Sequence, residues 1–400
     1  MRVLEINSVC GTGSTGRICT DLAQLLTQRG DMCAVGYGRG YVPPQAQAYA
    51  HRIGGPWDCR LHGMETRLFD AHGFGSRRAT REFLRWAAEW KPDVVHLHNL
   101  HGYYLQVEEL FAFLKAKELP AVWTLHDCWA FTGHCAHFAA ANCMQWQTGC
   151  RKCPLSREYP ACYGPSGAAR NYTRKQAAFT GVKNLTLAAP SQWLADLTAQ
   201  SFLKDYPVQV IPNGIDLTQF RPVPSDIRSR LGIPAEKKLI LGVAGVWTEK
   251  KGLQDFFRLA DLLGSSAQVL LVGLSEKQKQ ALPANVMGVI RTESIRELAE
   301  LYTAADVFLN LTYEDNFPTT NLEALACGAP VVTYRTGGSP ESVTELCGAV
   351  ISCGDVSAAA QVVMEKRWKQ QDCTAQAAKY DKQQRFQEYL SLYDRLFHQY

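Results

Sequence analysis

Two adjacent carboxylates, Glu314 and Asp315, stand in the segment of the 400-residue chain with the clearest chemical potential. An apolar, strand-like run precedes them, and Pro318 and Gly328 suit the first turn of a short helix and the residue after its end. The carboxylates are therefore predicted at the carboxyl side of a strand and at a helix N-terminus, whose amides favour a phosphate. Carboxylates also accept hydrogen bonds from sugar hydroxyls. Acidic residues that only cap a helix are the alternative for this segment taken by itself.

A cysteine-rich insertion is the second candidate site, because six of the 14 cysteines lie between residues 128 and 162. Cys150 and Cys153 have the two-residue gap with which one turn presents two thiolates to a metal. We predict a structural zinc in this insertion. The predicted ligands are Cys135, Cys143, Cys150 and Cys153, with Cys128, Cys162 and His137 as substitutes. Free buried thiols, disulfides and an iron–sulfur cluster are the alternatives, but no export signal indicates the oxidising compartment that disulfides need.

A glycine-rich segment, Gly11-Thr-Gly13-Ser-Thr-Gly16, matches the spacing of a dinucleotide-binding turn between a strand and a helix. Such a site needs an acidic residue after the second strand to hold a ribose, and the segment 35–40 has none. We therefore reject the dinucleotide interpretation and predict a flexible loop whose amides approach another phosphate or an acceptor sugar. A tight turn without a ligand is the alternative.

The elements that must position these residues follow a βαβ rhythm that occurs twice. Short, β-rich apolar runs flanked by polar residues are typical of buried parallel strands, and helical patterns separate them. The pattern predicts two doubly wound α/β domains, as the chain length also favours. The predicted domains are 1–183 and 184–375, followed by a helix over 376–400 that packs back on the first. The predicted strands begin near residues 2, 32, 93 and 121 in the first domain and near 185, 208, 239, 268, 307 and 330 in the second.

Composition and the apolar pattern bear on the partners and the cellular location of the protein. The formal charge of +4 is too small to indicate nucleic acid as a partner. No uninterrupted apolar run of about 18 residues predicts a transmembrane helix, and no signal peptide is visible. We expect a cytoplasmic protein. A helix bearing Arg77, Arg78, Arg81 and Arg85 beside Trp86 and Trp90 predicts peripheral contact with the inner face of a membrane or with a lipid-linked acceptor; an ordinary helix with both tryptophans in the core is the alternative.

Four motifs in order resemble one enzyme family over nearly the whole chain. They are the stretch 211–216 (Ile-Pro-Asn-Gly-Ile-Asp), Lys251-Gly252, the acidic pair Asp315 and Glu323 in a Glu-x7-Glu register, and the loop 337–341 (Gly-Gly-Ser-Pro-Glu). The chain resembles the GT-B-fold retaining glycosyltransferases of family 4, particularly members for capsular or colanic-acid-type polysaccharide synthesis. The resemblance implies an α/β GT-B fold, in which two doubly wound Rossmann-like domains face a central cleft.

The resemblance also implies roles for single residues. Lys251 would neutralise the leaving diphosphate, Glu323 would hold the nucleotide ribose, and Asp315 would hold hydroxyls of the transferred sugar. His126 would hydrogen-bond the donor sugar, although a lone histidine at a strand end is more often structural, and Gly13 would let the backbone approach the reaction centre. The implied donor-binding residues are Gly13, Asn213, Gly245, Glu314, Asn316, Phe317, Pro318 and Thr319.

Two departures from the family pattern affect these roles. Glu314 lies one residue too early for the first acid, so Asp315 takes that role here. Val246 stands where the family often has a diphosphate-binding arginine, which leaves Lys251 with more of that work.

The resemblance implies transfer from a UDP- or GDP-sugar to a saccharide or lipid-linked saccharide, by front-face displacement without a protein nucleophile. No Asp-x-Asp occurs, so we expect catalysis without a divalent metal or other cofactor. The alternatives are a nucleotide-sugar epimerase of similar fold and a non-catalytic sugar-nucleotide-binding protein.

Overall fold

The computed structural model describes residues 1–399, which form two compact units. The first unit comprises Met1–Ile211 and the C-terminal segment from Phe386, and the second comprises Pro212–Arg385.

The first unit is a seven-stranded parallel sheet with helices on both faces. Its strands are β1 (Arg2–Asn7), β2 (Met32–Tyr37), β3 (Ala50–Arg52), β4 (Val94–Leu97), β5 (Ala121–Thr124), β6 (Leu185–Ala189) and β7 (Val208–Val210). Its helices before the second unit are α1 (Gly13–Arg29), α2 (Pro56–Phe69), α3 (Arg77–Trp90), α4 (Val107–Lys117), α5 (Ala168–Phe179) and α6 (Gln192–Thr198). The strand order is β3-β2-β1-β4-β5-β6-β7, so the direction of winding reverses between β1 and β4.

The second unit is a six-stranded parallel sheet of the same kind. Its strands are β8 (Lys238–Val243), β9 (Ala267–Val272), β10 (Val286–Val289), β11 (Val307–Asn310), β12 (Val331–Tyr334) and β13 (Gly348–Ile351). Its helices are α7 (Ile227–Arg230), α8 (Leu253–Leu263), α9 (Glu276–Gln280), α10 (Ile295–Ala304), α11 (Thr319–Ala326), α12 (Val356–Glu365) and α13 (Gln370–Ala378). The order β10-β9-β8-β11-β12-β13 reverses between β8 and β11. Ligands of open α/β sheets bind where the strand order reverses, beyond the carboxyl ends of the strands.

The predicted pair of doubly wound α/β units is confirmed, but the boundary between them differs from the predicted one. The sequence places residues 184–211 in the second domain, whereas β6 pairs with β5 and β7 pairs with β6 in the first sheet, with Thr124 opposite Ala188. The physical reason is that a buried parallel strand has the same apolar pattern in either sheet, so pattern alone does not assign it. The second unit begins at Pro212.

The last helix, α14 (Lys382–Gln399), covers one face of the first sheet together with α1. Its side chains Phe386, Tyr389 and Tyr393 are buried against apolar residues of that sheet such as Val3. The Tyr393 hydroxyl also lies 2.5 Å from Nδ1 of the buried His96 on β4. The C-terminal segment therefore completes the core of the first unit.

Within residues 1–399, none of the helices is both long and apolar enough to cross a bilayer.

Candidate active site

The candidate site of the second unit lies on the two loops at the point where the strand order reverses. One loop follows β8 and contains a 3-10 turn at Glu249–Lys251; the other follows β11 and leads to α11. The Tyr313 N–H donates to the Lys250 carbonyl at 2.8 Å. Gly252 has a φ of +74° and lies so close to the Leu311 carbonyl that a Cβ would collide with it. These backbone contacts fix the lysine turn against the acidic loop.

Two parallel ion pairs join the loops. Lys250 Nζ lies 2.7 Å from Glu314 Oε2, and Lys251 Nζ lies 2.8 Å from Asp315 Oδ2. Both lysine side chains are 36% exposed, whereas Glu314 is 5% and Asp315 24% exposed. The Lys251–Asp315 pair is thus the more accessible one, and it presents a cation and a carboxylate together at the end of the sheet.

The N-terminus of α11 is held beside these pairs by a buried amide. Asn310 donates to Oδ1 of Asn321 at 2.9 Å, and Nδ2 of Asn321 donates to the Ser339 and Ser342 hydroxyls at 3.0 and 3.2 Å. Pro318 precedes the first helical residue, Thr319, rather than forming part of the helix. The first-turn amides of α11 therefore have a fixed position relative to the acidic loop, where they favour negative charge.

Glu323 lies one turn into α11 and meets a buried phenol. The Tyr302 hydroxyl donates to Glu323 Oε2 at 2.9 Å. Burial, and then the adjacent Glu323 charge, raises the pKa of Tyr302 well above its usual value, so the hydroxyl stays protonated and continues to donate. This bond orients the carboxylate to which the family resemblance gives the task of holding a ribose.

The remaining predicted donor-binding residues of the second unit are near this loop. Asn213 donates from Nδ2 to the Phe317 carbonyl at 3.1 Å, and the Asn316 carbonyl accepts from the Gly338 N–H at 2.8 Å. Gly245 follows β8 in open space, with nothing within 4 Å of the position that a Cβ would take. The structure therefore brings all predicted site residues of the second unit to one edge of its sheet.

In the first unit the glycine-rich segment is shorter as a loop than predicted. Helix α1 begins at Gly13, so Gly13 and Gly16 lie in its first two turns and only residues 8–12 form the connection to β1. Gly11 has a φ of +72°, and a Cβ there would come within 2.7 Å of Pro43. At Gly13, in contrast, a Cβ would have no other atom within 4 Å, so the backbone there is open to approach.

His126 follows β5 and contacts a second histidine. Nε2 of His126 lies 3.0 Å from Nδ1 of His98, which follows β4. Desolvation lowers the pKa of His126 to about 4 despite the nearby Asp127, so the imidazole is neutral at physiological pH. A neutral imidazole has one donor and one acceptor nitrogen for hydrogen bonds.

Comparison with known proteins identifies the family. Residues 15–219 match the model of Glycosyltransferase Family 4, and residues 237–365 match that of Glycosyl transferases group 1. The chain belongs to glycosyltransferase family 4. The predicted family and the transferase class are thereby confirmed.

Single relatives agree with this glycosyltransferase along its whole length. A protein of Escherichia coli (strain K12), named as a putative colanic acid biosynthesis glycosyl transferase, is 26% identical over 424 residues, which cover 99% of this chain and 100% of that protein. Sucrose-phosphate synthase of Thermosynechococcus elongatus superposes with a TM-score of 0.71 at 17% identity, with 100% of both chains covered. Anabaena HepE in complex with UDP gives 0.68 at 16% identity, over 99% of this chain and 100% of that one. The structural likeness confirms the GT-B fold.

The glycosyltransferase has no cation at the position where its family often carries arginine. Val246 occupies that position and is 71% exposed. Lys251 is therefore the basic side chain that the sequence and the structure both place next to Asp315.

The helix predicted to contact a membrane, α3, uses its apolar face inside the first unit. Phe83 is buried, and Trp86 and Trp90 pack partly buried against the same core. Trp86 also stacks on His51 with 3.6 Å between ring centroids. Arg81 forms two hydrogen bonds with Glu109. The alternative interpretation, an ordinary amphipathic helix with solvated arginines, therefore describes α3.

Two buried polar residues behind His126 were not predicted from the sequence. His98 carries the hydrogen bond to His126, and its Nε2 lies 3.6 Å from Oε2 of Glu5 on β1. Glu5 is fully buried, and burial raises its pKa well above the usual value. An acidic residue in the middle of an apolar strand, and the alternation of His96 and His98, were the signals that could have found this group.

These histidines also form the one metal-like cluster of the described chain. Within residues 1–399, only Glu5, His96 and His98 have three ligand atoms within 4.8 Å of one another. Both nitrogens of His96 already have partners, the Tyr393 hydroxyl and the Thr124 hydroxyl at 2.7 Å. His96 therefore uses both ring nitrogens in hydrogen bonds within the first unit.

Proposed function

We propose that this glycosyltransferase moves a sugar from a UDP- or GDP-sugar to a saccharide or lipid-linked saccharide, with retention of anomeric configuration, in cell-surface polysaccharide synthesis. The observation that carries the proposal is the accessible Lys251–Asp315 pair, 2.8 Å apart at the strand-order reversal and beside the N-terminus of α11. A cation and helix amides match a diphosphate, and a carboxylate matches sugar hydroxyls.

Each group then has one task. Lys251 stabilises the charge that grows on the diphosphate as the glycosidic bond breaks. Asp315 accepts hydrogen bonds from hydroxyls of the transferred sugar, and Glu323, oriented by Tyr302, accepts them from the ribose. His126, neutral at physiological pH, hydrogen-bonds the donor sugar. Glu314, with only 5% of its side chain exposed, mainly positions the loop.

The proposed course of the reaction is a front-face displacement. The acceptor hydroxyl attacks the sugar on the same face from which the diphosphate departs, and a departing phosphate oxygen takes the proton of that hydroxyl. The anomeric configuration is therefore kept. This course uses no protein nucleophile, unlike the covalent route of retaining glycosidases, and it assigns no role to a divalent metal. The structures of Anabaena HepE in complex with UDP and with UDP-glucose support a nucleotide-sugar donor.

A thermal-shift screen with UDP, GDP and their sugars tests the donor, because a ligand of the folded state raises the melting temperature. Asp315→Asn and Glu323→Gln should reduce the shift, whereas Glu276→Gln, an exposed acid on α9, should not. The anomeric proton coupling in the product then reports retention or inversion. Release of an altered sugar nucleotide without an acceptor would favour the epimerase, and donor binding without turnover would favour the non-catalytic binding protein.

A second helix, α2, supports peripheral membrane contact, which α3 does not. Its large apolar side chains face outward, in one stripe of exposed residues. They are Trp57, Leu61, Met64, Leu68 and Phe69, each between 52% and 70% exposed. The inward face is polar. His62 is 1% exposed, its Nε2 accepts from the Gly73 and Gly75 amides at 3.2 Å, and its Nδ1 lies 3.0 Å from the Ser76 hydroxyl.

Charge beside the stripe favours an anionic bilayer as its occupant. Arg60 and Arg67 are exposed next to it, and the Arg60 guanidinium lies 4.8 Å from the Trp57 ring centre. Tyr163 is 62% exposed and is tied to the end of α2 by its N–H, which donates to the Arg67 carbonyl at 2.7 Å. Apolar side chains flanked by arginine and amphipathic aromatics are typical of elements that lie in a membrane interface.

Co-sedimentation with vesicles of neutral lipid alone or mixed with anionic lipid tests this surface. We expect binding to the mixed vesicles that weakens with salt and is lost in Leu61→Glu/Met64→Glu. Leu346→Glu is the matched control, because Leu346 is 68% exposed in the second unit. Membrane contact through α2 would be refuted if the wild-type protein binds neither kind of vesicle. It would also be refuted if the wild-type protein is a dimer that the double substitution dissociates.

A further inference from the structure

The cysteine-rich insertion has little regular structure to hold it together. Residues 125–167 contain three short 3-10 turns, at Trp129–Phe131, Ala139–Ala141 and Gln145–Gln147, and neither an α-helix nor a strand. Yet Trp129, Phe131 and Trp146 are almost fully buried. A long irregular segment with a buried interior needs fixed cross-links or side-chain networks in place of backbone ladders.

Four cysteines of this segment converge. The Cys135 thiol hydrogen-bonds the Cys153 sulfur, and Cys150 interacts electrostatically with both Cys153 and Cys143. The Gly133 N–H donates to Cys150 Sγ at 3.2 Å. All four pack against the core of the first unit.

A buried histidine beside the cysteines has one nitrogen without a partner. His134 is 2% exposed, and its Nδ1 lies 2.6 Å from Oδ1 of the buried Asp70. Its Nε2 is buried and has no hydrogen-bond partner. Because buried polar atoms are nearly always paired, this nitrogen indicates a group that belongs in the site. A carboxylate that accepts from one ring nitrogen of a histidine is a common support for a histidine whose other nitrogen faces a metal centre.

A buried cation lies on another side of the same segment. Lys175 is 1% exposed, and its ammonium donates to the Trp129 and Thr132 carbonyls at 2.7 and 3.1 Å. It also lies 3.4 Å from the Trp129 ring centre. Within residues 1–399 no ion pair joins Lys175 to a carboxylate. A negative group nearby would stabilise the charged form of this buried amine.

We propose that Cys135, Cys143, Cys150 and Cys153 bind a structural zinc ion as thiolates, with the buried Nε2 of His134 next to the site. Four thiolates around zinc carry a net negative charge, which Lys175 balances. No three of these sulfurs lie within 4.8 Å of one another, so the side chains must rotate inward to reach zinc–sulfur distances of about 2.3 Å. The site fixes the segment that starts at Asp127, beside His126, without taking part in transfer.

Metal analysis of protein purified without a histidine tag tests the site. We expect about one zinc per chain, as in four-cysteine structural sites, and its loss in Cys150→Ser, Cys153→Ser and Cys143→Ser. Cys162→Ser is the matched control, because Cys162 is fully buried in the same segment but bonds the Pro165 carbonyl instead. The control should keep its zinc.

Two further measurements on the wild-type protein test the zinc site even if a serine variant does not fold. Titration of wild-type protein with a mercurial should release zinc in step with the modification of four thiols, and cobalt-substituted protein should show thiolate-to-cobalt charge-transfer absorption. Metal-free wild-type protein, zinc retained in Cys150→Ser and Cys153→Ser, or bound iron with the absorption of a cluster would each overturn the proposal. None of these readouts depends on transferase activity.

Discussion

Replacement of Lys251 by methionine separates the proposed catalytic role of this residue from its contribution to stability. Methionine keeps a long, flexible side chain and removes the charge. The ion pair with Asp315 is 2.8 Å long but its lysine side chain is 36% and its carboxylate 24% exposed. Partly solvated pairs of this kind contribute about 0.2–1 kcal/mol to stability, so the variant should fold and melt close to the wild type.

The expected effect on transfer is much larger. Loss of one preorganised group that stabilises transition-state charge lowers turnover by about 10²–10³, or about 2.7–4 kcal/mol. Val246 supplies no cation where the family often has arginine, and it is 71% exposed. We therefore expect Lys251→Met to lie near the upper end of this range, with a raised KM for the donor as well.

The neighbouring Lys250 provides the matched control. Its side chain has the same 36% exposure and the same kind of ion pair, 2.7 Å long, but its partner Glu314 is only 5% exposed. Lys250→Met removes the ion-pair partner of the buried Glu314 carboxylate, which costs about 1–3 kcal/mol of stability. It should therefore lower the melting temperature more than Lys251→Met and lower turnover less.

Turnover is measured at saturating donor and acceptor, and stability by thermal unfolding of the free enzyme. We expect opposite rankings of the two variants in the two assays. The assigned role of Lys251 is refuted if Lys251→Met keeps turnover within about tenfold of the wild type, which is about 1.4 kcal/mol, or if both variants lose turnover equally.

Three other predictions follow from single contacts. Tyr302→Phe removes the hydroxyl that orients Glu323, and it should weaken nucleotide binding in calorimetry by about 0.5–1.5 kcal/mol, more if the carboxylate moves; unchanged affinity would contradict the ribose role. Gly252→Ala forces a collision with the Leu311 carbonyl at a φ of +74°, so transfer should fall well below that of the wild type while the protein still folds, as paired activity and circular dichroism assays would show. Burial lowers the pKa of His62 from 6.5 to about 4, so between these pH values the unfolded chain binds a proton that the folded chain does not. The free energy of unfolding should therefore fall by up to about 3 kcal/mol as the pH decreases from 6.5 to 4. Denaturant unfolding at several pH values tests this, and the stability of His62→Gln should depend less on pH than that of the wild type.

The loops of the candidate site could be predicted because their determinants are local. Pro318 and Gly328 bracket α11, which spans Thr319–Ala326 against a predicted 319–327. Apolar runs place β8 and β11, and parallel strands have their carboxyl ends on the same edge. The proximity of Lys251 and Asp315, however, needs the strand order, since β8 and β11 are neighbours although β9 and β10 come between them in the chain.

Features that depend on which partner an element finds could not be predicted. Residues 185–189 have the pattern of a buried strand, and only pairing with β5 shows that they belong to the first sheet. Likewise Glu5 is one acid in an apolar strand until β4 brings His98 to 3.6 Å and shows a polar group inside the core. The local pattern of apolar residues predicts that a strand forms, but only pairing between residues distant in the sequence determines which strands lie next to it.

The two helices α2 and α3 show the same limit for surfaces. Periodicity assigns an apolar face to the core by default, and in α3 the core receives Phe83 and part of Trp86. In α2 the face that points into the unit is instead polar: His62 has hydrogen-bond partners there in Ser76, Gly73 and Gly75, and the stripe that contains Trp57 faces outward. An outward apolar stripe stabilises nothing in the isolated unit, so its exposure needs a reason outside the fold, and the proposed contact with a bilayer would supply one.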